Sequence, residues 1–77
     1  MKEKDLQTQF GLQVRSQRKL RDLTQEDLAE RAGLSAEYIS HIERGLASPS
    51  FRTVAALSDA LKVDPGTLFN FSGERRK

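Results

Sequence analysis

The side chains of this chain that could do chemistry would do it by hydrogen bonding and charge rather than by making bonds. Ala36, Glu37, Ser40 and His41 fall at helical spacing on the side opposite Ile39 and Ile42, so they share one outward face. A carboxylate at Glu37 can accept from an amine or settle the positive end of its own helix, and a methyl at Ala36 can pack on another methyl. Ser40 and His41 add hydroxyl and imidazole groups, and an exposed His is more often simply solvated. A second set, Arg15, Lys19, Thr24, Gln25, Arg44 and Arg52, offers cationic, hydroxyl and amide donors of the kind that hold an anion such as phosphate. The parts of an active site are missing. With no Cys and a single His there is no metal cluster, and neither a phosphate-binding loop nor a nucleophile paired with a base is visible. The chain reads as a non-enzyme that needs no metal and no cofactor.

The elements that must position these groups are short helices. Leu28, Ala29 and Ala32 share one helical face, and Gly33 follows where a left-handed residue would end that helix. Ser35 is a favoured N-cap for a second helix, which carries Ile39 and Ile42 and runs to about Arg44 before Gly45. So short a turn forces a steep crossing, roughly 90 to 120°. Ala29 is small where the helices cross, and Leu28, Ala29, Gly33, Ile39 and Ile42 together make the core of a helix-turn-helix. Leu6, Phe10 and Val14 recur every four residues, which predicts a first helix from about Leu6 to Arg21. Apolar residues bracket three caps, Leu23 and Leu28 around Thr24, Leu34 and Ile39 around Ser35, Val63 and Leu68 around Asp64. Ser50 should cap a fourth helix with Phe51, Val54, Leu57 and Leu61 inward, and Asp64 with Pro65 should open a short fifth.

Two charges break this pattern. Arg18 continues the stripe of Val14, and Glu43 follows Ile39 by four residues on the inner side of the second motif helix. Opposite charges misplaced in this way suggest one buried pair, against the alternative of two solvated edge residues.

The stretches LTQEDLAERAGLSAEYISHIERG and SPSFRTVAALSDALKVDPGTLF resemble the second to fifth helices of the lambda repressor and Cro helix-turn-helix family. The similarity covers roughly Leu6 to Phe71. Within that family, YIS followed by IERG and PS is most similar to the controller proteins of restriction-modification systems, although antitoxins and phage repressors share most of the pattern. The resemblance implies an all-α, five-helix domain that binds double-stranded DNA in the major groove as a transcriptional regulator. It also implies an internal salt bridge between Arg18 and Glu43 and a backbone contact by Gln25; around these, Thr24 is mainly a cap that can add a contact, and Arg15, Lys19, Arg44 and Arg52 are rim cations for phosphate, against the alternative that each is a solvated surface charge. Ala36, Glu37, Ser40 and His41 would then read bases, Glu37 from a cytosine amine and Ala36 from a thymine methyl. Ala36 departs from the family, because controller proteins commonly carry Arg there. A guanine-reading fork is thus missing, and shape readout gains weight.

The remaining sequence bounds this reading. Seventy-seven residues make one domain, spanning 6–71, with flexible ends at 1–5 and in the basic tail 72–77. A core of this size is marginal, so a homodimer is expected, with Phe69 and Phe71 at a two-fold interface. Recognition helices would then stand about 34 Å apart on a pseudopalindromic operator. No apolar run suggests a signal peptide or a membrane span, which places the chain in the cytoplasm. Net charge is +3 over residues 1–22, −3 over 23–45 and +2 over 46–77, so the motif itself is acidic. That imbalance leaves room for an antitoxin-type module that binds a partner protein. Autoregulation and contact with RNA polymerase are compatible with a regulator, but no residue points to either.

Overall fold

The computed structural model describes residues 1–71, so the expected basic tail lies outside the described residues. Four α-helices follow one another, α1 (Glu3–Leu20), α2 (Gln25–Ala32), α3 (Ala36–Glu43) and α4 (Phe51–Leu61), and a 3-10 segment, Pro65–Phe69, closes the order. The architecture is all-α, as the sequence predicts, but the fifth helix is a 3-10 turn. Its five residues leave room for little more than i→i+3 bonds, such as the Thr67 N–H donating to the Asp64 carbonyl at 2.9 Å. Asp64 makes no side-chain capping bond there.

The caps are local chemistry at work. Thr24, Ser35 and Ser50 each accept, through the side-chain hydroxyl, the N–H three residues on, at 3.0, 3.0 and 3.2 Å. Gly33 (φ 71°) ends α2 in a Schellman motif. The Leu34 N–H donates to the Ala29 carbonyl at 2.9 Å, and the Gly33 N–H to that of Glu30 at 3.4 Å. The same motif recurs after α3 at Gly45 (φ 76°) and after α4, where Lys62 occupies the left-handed position at φ 59°.

Phe10, Val14, Leu28, Ile39, Ile42, Leu57, Leu61 and Leu68 form the centre of the core, each at most 2% exposed. They come from all four helices and the 3-10 segment, so one cluster holds every element. Gly11 sets how closely α1 lies on α3. A Cβ at that position would collide with the Ile42 carbonyl oxygen and stand 2.9 Å from that of Glu43.

Three expectations need correction. The first helix starts at Glu3, ahead of Leu6, because the Asp5 carboxylate accepts the Lys2 N–H at 3.2 Å and closes the first turn, so residues 3–5 belong to α1. Leu6 itself is exposed, so the buried stripe of α1 begins at Phe10. Phe51, expected inward, is 92% exposed. It occupies the first position of α4, at the edge of the arc occupied by Val54, Leu57 and Leu61.

Candidate functional site

The unit formed by α2, its Gly33 turn and α3 is fixed from inside by one charged cluster. Arg18 of α1 donates through Nε to Glu43 Oε2 at 2.6 Å and through Nη2 to Glu43 Oε1 at 3.0 Å. Its third nitrogen, Nη1, donates to the Leu23 carbonyl at 2.7 Å, so the guanidinium also clamps the loop that leads into α2. Both side chains are buried, and the fork is the two-pronged geometry that suits a carboxylate. The carboxylate beside it holds the Arg18 guanidinium above its ordinary pKa against the opposing effect of burial. Among the described residues no buried side-chain polar atom is left without a partner.

Gln25, the first residue of α2, is drawn into the same cluster. Its Nε2 donates to Glu43 Oε1 at 3.1 Å, so one carboxylate touches α1, α2 and α3. Thr24 spends its hydroxyl on the Asp27 N–H, while the Thr24 N–H donates to Asp27 Oδ2 at 2.9 Å. The Thr24 N–H, and after it the hydroxyl, hold the Asp27 carboxyl below its usual pKa. With the Asp27 N–H taken by Thr24, helix geometry leaves the N–H groups of Gln25 and Glu26 without an intrahelical partner, which suits the start of α2 to an anion.

Of the outward residues of α3, Glu37 is exposed, whereas Ser40 and His41 are half-buried. Ala36 is half-buried too and packs against the core, so only part of its methyl is available to a ligand. Arg15 and Lys19 are exposed four residues apart on α1, and so share a face. Arg44 and Arg52 are exposed at the two ends of the segment that joins α3 to α4. Tyr38 escaped the sequence reading. From the first turn of α3 its hydroxyl lies 3.4 Å from Thr53 Oγ1, which links α3 to α4.

A second feature lies between the start of α1, the start of α4 and the 3-10 segment. Leu6, Phe10, Phe51, Val54 and Phe69 line an apolar groove bordered by Glu3, Gln7 and Ser48. Phe69 stacks on Phe10 with ring centroids 5.0 Å apart, yet remains 41% exposed, and half-buried Phe71 lies 6.4 Å from Phe69. The sequence marks Phe69 and Phe71 as interface candidates, whereas its periodicity turns Leu6 and Phe51 inward and so misses their place on this face. Among the described residues no His, Asp or Glu cluster could hold a metal, and no helix is long and apolar enough to cross a membrane.

Comparison with known proteins places this arrangement in context. A family model described as helix-turn-helix matches residues 14–68. An uncharacterized HTH-type transcriptional regulator of Mycobacterium tuberculosis is 38% identical over 63 residues, 82% of this chain and 45% of the relative. The immunity repressor protein of Bacillus phage phi105 is 43% identical over 53 residues, 69% of this chain and 37% of the repressor. The chain thus spans less than half the length of these two relatives. Among solved structures, the restriction-modification controller protein C.AhdI from Aeromonas hydrophila is similar with a TM-score of 0.81 and 35% identity, over 82% of this chain and 96% of the controller.

Proposed function

The chain belongs to the helix-turn-helix family, and we propose that it is a DNA-binding transcriptional regulator that lays α3 in the major groove. The observation that carries the reading is the fixed α2–α3 unit: its turn is closed by Gly33, and its recognition helix is tied to α1 through Arg18 and Glu43. Glu37, Ser40, His41 and the accessible part of Ala36 read base edges. Gln25, Thr24 and the start of α2 hold a phosphate, with Arg15, Lys19, Arg44 and Arg52 supplying charge around them. Similarity to a phage immunity repressor and to a restriction-modification controller supports this reading.

The regulator acts as a homodimer in the cytoplasm. Phe69 and Phe71 are the contacts expected from the sequence, and exposed Phe51 and Leu6 extend the same apolar face. The patch has both a projecting ring, Phe51, and a groove beside it, which is what a self-complementary two-fold contact requires. Two copies would place two recognition helices about one turn of DNA apart and double the phosphate contacts of a chain whose motif is acidic.

Selection from a randomised duplex library, followed by gel shifts across a salt series, tests the reading. A pseudopalindromic site should emerge, bound at micromolar protein or tighter and weakened steadily by salt. Gln25→Ala should weaken every duplex alike, whereas Glu37→Ala should change which bases are preferred. Failure to form any specific, salt-dependent complex would overturn the regulator and favour an antitoxin-type role in which the apolar groove takes a partner protein.

A further inference from the structure

We propose that Glu43 is a positioning residue for the DNA backbone contact, acting through Gln25; the inference rests on the DNA-binding reading above. Glu43 Oε1 accepts from Arg18 Nη2 at 3.0 Å and from Gln25 Nε2 at 3.1 Å, while Oε2 accepts from Arg18 Nε at 2.6 Å. A Gln amide has two N–H donors and only one is used here. With the first held by a buried carboxylate, the second is fixed in direction beside the start of α2, where the N–H groups of Gln25 and Glu26, without intrahelical partners, also favour an anion. A free Gln side chain would have to lose its rotamer freedom when it met a phosphate, and this one has already lost it on folding. Arg18 supplies the charge that makes the arrangement possible, since an uncompensated carboxylate next to the contact would repel the phosphate. The buried pair therefore has a second task besides anchoring α3: it presets a donor on the neighbouring helix. It also ties the phosphate contact to the orientation of α3, because Glu43 is the last residue of that helix.

A double-mutant cycle on binding tests the proposal, using the duplex enriched from the random library and a second duplex of arbitrary sequence. Replacing both buried partners, Arg18→Met with Glu43→Leu, removes the anchor of Gln25 without leaving an unpaired charge. In the wild-type background Gln25→Ala should lower affinity for both duplexes about tenfold, the size of one hydrogen bond to a charged group. In the background that lacks the buried pair the same change should cost less than about twofold. An equal loss in both backgrounds overturns the positioning role while leaving the regulator intact, and absence of wild-type binding to either duplex overturns the regulator itself. Nuclear magnetic resonance of the wild-type protein reads the same point should the double variant fail to fold. One Gln25 side-chain amide proton should exchange slowly with water in the free protein, and added duplex should shift chiefly the other. Equal exchange of the two, or equal shifts on adding duplex, contradicts the proposal.

Discussion

The α2–α3 unit and the groove around Phe51 are two faces of one small domain, built on opposite principles. In the unit the helix ends inside it are closed by Ser35 and Gly33, the buried charge is answered twice, and the apolar residues point inward. Around the groove Leu6, Phe51 and Phe69 leave apolar surface in water although a core lies just beneath them. On the function proposed above, the contrast teaches that a domain finishes the surface meant for a charged ligand and leaves unfinished the surface meant for another protein. A rigid reading head needs internal closure, whereas an interface needs something left over to bury.

Substitutions break this contrast by different amounts. The largest effect should come from Glu43→Ala, which leaves Arg18 buried without its partner and should cost about 3–5 kcal/mol, measured by urea unfolding. Gly11→Ala comes next, because a methyl there meets backbone and forces α1 off α3; a loss of about 1–3 kcal/mol is expected from the same measurement. Lys62→Gly has the opposite sign. Lysine holds a left-handed conformation at the end of α4 where glycine carries no Cβ penalty, so the change should stabilise the domain by up to about 1 kcal/mol and raise its Tm. Phe51→Ser should be the quietest for folding, within about 0.5 kcal/mol when unfolding is followed at concentrations where the chain is monomeric. Sedimentation should nevertheless show weaker self-association. A Phe51→Ser protein that unfolds readily as a monomer would mean that the ring supports the core and that the contrast is false.

Much of the first face is legible in the sequence and little of the second. Thr24, Ser35, Ser50 and Gly33 act on neighbours within a few residues, so residue type and spacing suffice to place them. Arg18 and Glu43 betray themselves as opposite charges on apolar stripes, a local anomaly with a distant cause. Gly11 gives the faint signal of a glycine inside a helical pattern, but only the crossing of α1 over α3 shows what it is for. The link from Gln25 to Glu43 joins residues 18 apart and depends on the angle between α2 and α3, which no periodicity encodes. Phe51 misleads because a helical stripe gives direction and not depth. At the first position of α4 its ring points past the core rather than into it. The 3-10 segment reads as an α-helix because cap and apolar spacing do not distinguish the two over five residues.

Which face meets DNA is decided most directly by amide chemical-shift mapping of the protein with its selected duplex. The predicted result is that added duplex moves the amides of residues 24–26 and 36–41 and leaves those of Leu6, Phe51 and Phe69 in place. Shifts concentrated at Leu6, Phe51 and Phe69, with α3 unmoved, would contradict it.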